Sequence, residues 1–195
     1  MRGKIRILAF VMFGIMLGAQ LVLGQTRWQP FKLHPDVKYL NLEYLVSVGN
    51  KEPMDYTIEI KRLPDGKLDV SITHKAKIQE DQLGAQTLVG IFSVYGISAI
   101  SFFNPAYAIF LSQMDLKVGE KMSFFGAGYG KVTGEKTVGG RKGFVVEFYQ
   151  RKGDKDQLTS RSVIDPKIFI PIENEMFDAN GNVQSHIVLI KSEVK

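Results

Sequence analysis

The residues able to do chemistry are few and scattered along this chain of 195 residues. His34, His74 and His186 lie on separate segments, and none has a helical neighbour at metal-ligand spacing; a zinc site needs three or four converging ligands. They read as surface histidines. Ser112 and Ser185 stand outside any nucleophile-elbow context. Asp154 and Asp156, with Asp165 further on, lack the additional oxygens and trailing glutamate of a calcium loop. Glu173 and Glu175 are two apart on an expected strand and so share a face, which reads as solvated like charge rather than acid–base machinery. Gly126, Gly128 and Gly130 imitate a phosphate cradle, but that fingerprint needs a helix after it, and Lys131 to Gly134 starts none. They read as a turn or bulge. No catalytic residue, metal ligand or cofactor follows, and a non-enzymatic protein is expected.

Most of the elements around these residues read as strands. Leu40, Leu42, Tyr44, Val46 and Val48 alternate with more polar neighbours, the pattern of a half-buried strand. Tyr56, Ile58 and Ile60 alternate likewise, Pro64-Asp65-Gly66 turns the chain, and Leu68, Val70 and Ile72 repeat the pattern. That is a hairpin. After Asp115 the sequence predicts strands from Met122, over Lys131 to Val138, Phe144 to Gln150, Leu158 to Ile164, Ile168 to Phe177 and Val183 to Ser192. Pro171 implies an edge or bulge position, because proline cannot donate to a strand ladder. Asp178-Ala179-Asn180-Gly181 makes the last hairpin turn.

One stretch differs. From Gln82 to Met114 there is no charge. The length exceeds the roughly 20 apolar residues that span a bilayer, but scattered Gln, Ser and Asn side chains and Gly84, Gly90 and Gly96 weaken a span. Asn104-Pro105 breaks a helix there. The reading is two helices, Gln82 to Phe103 and Pro105 to Met114, packed against the sheet. A membrane span and an interfacial piece stay open as alternatives. The fold class expected is therefore α+β, mostly β: a curved antiparallel half-barrel of about eight or nine strands around a helical insertion at 82–114.

The overall charge of +5 is dominated by Arg2, Lys4 and Arg6; the remaining 22 basic residues nearly balance 20 acidic ones, which leaves no basic stripe for nucleic acid. MRGKIR followed by an apolar run and Val22-Leu23-Gly24 reads as a signal peptide over 1–24, either cut after Gly24 or kept as an anchor. Residues 25–195 then form one exported domain, periplasmic or envelope-associated. With no cysteine there is neither a disulfide nor a lipidated residue, so packing alone must hold the domain.

The phrases LKVGEKMSF, VTGEKTVGGRKGFVVEFY and SVIDPKIFIPIENEMFDANGNV, spread over Leu116 to Val188, resemble exported half-barrel proteins of bacterial envelopes. These are similar in architecture to the LolA/LolB lipoprotein carriers. The resemblance implies a half-barrel with a helical lid and an apolar cavity, and no catalytic residues. The expected function is binding of a lipid, acyl chain or other apolar ligand between sheet and helices, by Leu88, Phe92, Tyr95, Phe103, Tyr107 and Phe110. The alternative is a structural or interaction module of the envelope with no small-molecule ligand. The partners expected are a hydrophobic ligand or an envelope protein, with membrane association open and nucleic acid excluded.

Overall fold

The computed structural model describes residues 27, 33–50, 52–75, 114–124 and 126–195. Nine strands follow one another: β1 (Tyr39–Val48), β2 (Met54–Arg62), β3 (Leu68–Lys75), β4 (Lys121–Ser123), β5 (Gly128–Val138), β6 (Arg141–Lys152), β7 (Lys155–Ile164), β8 (Pro171–Phe177) and β9 (Val183–Val194). They form one sheet in the order β3-β2-β1-β9-β8-β7-β6-β5-β4. Every neighbouring pair is antiparallel. Strands β3 and β4 are the two edges, so the sheet is open rather than a closed barrel.

The strand count and antiparallel pairing agree with the sequence reading; the helical insertion does not. Among the described residues there is no helix. Met114, the one described residue of the expected 82–114 insertion, lies outside any helix and is fully buried. The next residue, Asp115, forms an isolated antiparallel bridge with Arg27. Residues 82–113 lie outside the described residues, as does the expected signal peptide. The α+β assignment is therefore corrected to an open antiparallel sheet. Met114 belongs to the buried cluster with Leu116, Phe124, Val132 and Phe148 and is placed there by packing, not by a helical turn.

Turn chemistry sets each local register. Gly139 and Gly140 have φ of +55° and +76° and leave Val138 opposite Arg141, the two-residue hairpin whose twist matches its strands. Gly66 and Gly181, at +82° and +83°, close the turns after β2 and β8. Asp178 secures the latter by accepting from the Asn180 and Asn182 backbone N–H groups. Pro171 is the first residue of β8, at a register shift between Val163 and Ile164, so it withholds no ladder bond in a central strand.

Two apolar clusters lie on this sheet. The first joins Leu40, Leu42 and Tyr44 of β1, Tyr56 and Ile58 of β2, and Ile187 and Leu189 of β9, with Ile168 and Ile172. The second joins Val132, Val146, Phe148 and Ile164 with Met114, Leu116, Phe124 and Phe169. Phe169 is the one non-glycine residue described with positive φ, +62°, a strain on the order of 1 kcal/mol that its buried ring offsets.

The sheet is strongly curled. Gly139, at the tip of the β5–β6 hairpin, touches Leu189 of β9, although between three and four strand spacings, about 14–19 Å, would separate them in a flat sheet. A Cβ on Gly139 would lie 2.7 Å from the Leu189 carbonyl oxygen, whereas one on Gly140 would meet nothing within 4 Å. Both positions have positive φ, so alanine strains either. Gly139→Ala should therefore destabilise the fold by about 2 kcal/mol or more, and Gly140→Ala by about 1 kcal/mol. Urea unfolding of the two variants checks this: equal losses would mean that the hairpin tip does not rest on β9.

Candidate functional site

All six residues expected to line an apolar cavity, Leu88, Phe92, Tyr95, Phe103, Tyr107 and Phe110, lie outside the described residues. Two other features stand out: a network of ionic groups on one side of β5 to β9, and a long edge at β3 that has no outer strand partner among the described residues.

The network follows from register. Glu173 on β8 pairs with Val163 on β7 and Val188 on β9, so it shares a side with Val145 on β6, and with Glu175 and His186 two positions along their strands. Lys136 of β5 reaches the Glu173 carboxylate across β6 and β7. Three strand spacings amount to about 14 Å in a flat sheet, so this contact puts Lys136 and Glu173 on the inside of the bend. His186 Nε2 lies 3.0 Å from the other Glu173 oxygen. Glu173, read from sequence as solvated, is in fact buried at 6% exposure. Arg161 of β7 donates from Nε to Glu147 Oε1 at 3.0 Å and from an Nη to Glu175 Oε2 at 3.2 Å. Tyr149 donates to the remaining Glu147 oxygen at 2.8 Å. Beyond this group, Arg141 holds the buried Asp165, which also accepts from the Lys167 backbone N–H. The sequence signal was present: acidic positions on β6 and β8 alternate with basic ones on β5 and β7. Its meaning depended on which strands became neighbours.

Chemically the network is closed. Burial pushes the Glu173 carboxyl up, but hydrogen bonds from Lys136 and His186 outweigh it and hold the group below the usual carboxylate range. Burial, and then the hydrogen bond to Glu147, pushes the Tyr149 phenol up to about 12. An ionised, doubly bonded carboxylate and a protonated phenol are neither a general acid nor a base poised near neutrality. No group of three metal-ligating side chains occurs among the described residues. The network ties five strands together and presents no reactive atom.

The β3 edge is the opposite case. Along its eight residues every side chain is exposed except Ile72, which is partly covered. Leu68, Val70, Ile72 and His74 share the side of Arg62, Ile60, Ile58 and Tyr56 on β2; Asp69, Ser71, Thr73 and Lys75 face the other way. Leu68 and Val70 are 41% and 49% exposed, and Leu63 beside them is 40% exposed. The β2–β3 register runs without a bulge, and β3 contains neither proline nor glycine. The other edge, β4, has only three residues, with Lys121 Nζ stacked 3.7 Å over the Tyr129 ring. A short, lysine-bearing edge is protected from pairing; a long, regular, half-apolar one is a template for another strand. A hollow of about 200 Å³ at the Lys75 end brings the charged Glu43, Asp55 and Lys75 together with Thr57 and Thr73, beside Tyr44, Tyr56 and Ile190; three charged groups do not suit an acyl chain.

No family model matches the sequence, and no curated protein matches it either. Solved structures do. A crystal structure of MucB aligns at a TM-score of 0.50 with 12% identity, covering 80% of this chain and 53% of that one. MucB in complex with MucA(peri) aligns at 0.49, with 12% identity over 80% of this chain and 50% of that one. The Pseudomonas aeruginosa MucA/MucB complex aligns at 0.48, with 11% identity over 80% and 51%. The chain thus spans about half the length of the proteins it matches. The likeness is one of fold, and it agrees with the open half-barrel sheet that the sequence resemblance implied.

The Glu173 contacts set a pH dependence. A carboxyl whose pKa is lowered by folding adds stability above its unfolded value, and that stability is lost as pH falls through the folded one. Stability measured by denaturant should therefore fall on acidification through and below the ordinary carboxylate range. Glu173→Gln should lower stability at pH 7 by about 1–2 kcal/mol and flatten that acid decline. An unchanged acid limb in the variant would show that the network contributes nothing.

Proposed function

We propose that the chain is a non-enzymatic module of the bacterial cell envelope that works by binding protein, with the β3 edge as its docking line. The observation that carries this reading is the edge itself. Among the described residues this eight-residue strand pairs with β2 alone, so the backbone N–H and C=O groups of its outer side have no strand partner, with apolar side chains on one face and polar ones on the other. Main-chain hydrogen bonds would supply affinity along such an edge, and the alternating side chains would select the partner. The basic and apolar N-terminal run supports an envelope location under this reading. The likeness to MucB, a matter of fold at 12% identity, is compatible with it, and MucB itself has been solved in complex with MucA(peri). Binding of an apolar ligand by the residues between 82 and 114 has no observation among the described residues in its favour.

The reading is tested by placing a photo-cross-linking side chain at Thr73 in the cells that make the protein and mapping its products. Cross-links to one contiguous polypeptide segment are expected, and Val70→Lys should abolish them by putting a charge on the apolar side of the edge. Cross-links that survive Val70→Lys, or that arise from β9 and not from β3, would sink it.

A further inference from the structure

We infer that the strand which docks on β3 is β3 of a second copy of this chain, paired antiparallel about a two-fold axis at Ile72. The inference rests on the reading of β3 as a docking edge and adds the identity and register of the occupant.

The strand is complementary to itself. With Ile72 opposite its own counterpart, Asp69 of each copy faces Lys75 of the other, Val70 faces His74, and Ser71 faces Thr73. Pairing about an axis perpendicular to the sheet keeps like sides together, so the apolar sides of the two copies become continuous, as do the polar sides. Within one copy, Lys75 lies beside Asp55 of β2, and Asp69 lies beside Lys61. Across the four central strands of the pair the charges then run Asp55, Lys75, Asp69, Lys61, strictly alternating in sign, and the two-fold axis repeats this row once. Neither Asp69 nor Lys75 forms an ion pair within 4 Å among the described residues of its own copy, and the field of Asp69 on Lys61 leaves its carboxylate without a direct salt bridge. Shifting the centre to Ser71 or to Thr73 also keeps like sides together, and each shift removes both Asp69–Lys75 pairs, setting Asp69 opposite Thr73 in the first and Lys75 opposite Ser71 in the second. Opposite charges directly across an antiparallel pair favour it, so within β3 the two Asp69–Lys75 pairs favour the Ile72 register.

The test uses the purified full chain and two charge reversals. Sedimentation velocity over a range of concentrations should show a reversible monomer–dimer equilibrium. Asp69→Lys places lysine opposite lysine at both ends of the pair, and Lys75→Asp places aspartate opposite aspartate. Each variant alone should raise the dissociation constant at least about tenfold. Mixed together they restore both attractive pairs, so the mixture should form a heterodimer at concentrations where each is monomeric. Circular dichroism of each variant separates lost association from lost folding. A wild-type chain that stays monomeric, a dimer indifferent to Val70→Lys, or variants that fail to recover on mixing would overturn the inference. If the chain is monomeric while the Thr73 cross-links map to a different polypeptide, the docking edge stands and only self-pairing falls.

Discussion

The pairing of β1 with β9 is the constraint on which the rest of the sheet depends. It joins strands at opposite ends of the described chain, from Leu40 opposite Val194 to Val48 opposite Ser185, with a register shift after Glu43. Tyr39 and Lys195 exchange both backbone hydrogen bonds at 2.9 Å, which closes the end of the ladder. Every other strand pair joins strands consecutive in the chain, so it is this pair that welds the β1–β3 unit to the β4–β9 meander. Closing so long a loop costs conformational entropy. The cluster built across the joint offsets it: Leu40, Leu42 and Leu189 are all nearly or fully withdrawn from water. Tyr44 adds a buried hydroxyl that donates to the Pro171 carbonyl at 2.8 Å, tying β1 to the start of β8 past the strand between them. Burial keeps that phenol protonated, which is the state the hydrogen bond requires.

The curl of the meander follows from the same joint. Once β9 is seated beside β1, the β5–β6 hairpin bends until Gly139 rests on Leu189 and Lys136 meets Glu173. Glycine is required where the backbone comes this close. At Gly128, on the other side of the hairpin, a Cβ would lie 2.1 Å from the Tyr149 carbonyl oxygen. The buried carboxylates Glu173 and Asp165 are paired because burial leaves too little water to solvate them singly. Asp165 with Arg141 and Glu173 with Lys136 and His186 are consequences of the curl rather than instruments of a reaction.

An open sheet must end somewhere, and the two ends of this one differ. The β4 end is short and covered by a lysine on an aromatic ring. The β3 end is long, regular and exposed, with its two charges of opposite sign and both on the polar side. Opposite signs on one strand repel an arbitrary neighbour less than they select a complementary one. That asymmetry is the observation on which the proposed docking line rests.

The sequence by itself determined the strands and their turns. Alternation marked β1, β2 and β3; Pro64-Asp65-Gly66, Gly139-Gly140 and Asn180-Gly181 marked the reversals; Pro171 announced its bulge. These are local properties, set by side-chain period and by backbone conformations that few residues adopt. The uncharged stretch before Asp115 reads as two helices from its apolar content and the break at Asn104-Pro105, yet Met114, its one described residue, is placed by packing outside any helix. Only the tertiary structure decided that β9 returns beside β1, that Glu173 is buried while Val70 is exposed, and that β3 rather than β4 is the long edge. Those facts depend on which distant strands become neighbours. That choice is made by the summed burial and pairing of many residues across the chain, and no short window of sequence contains it.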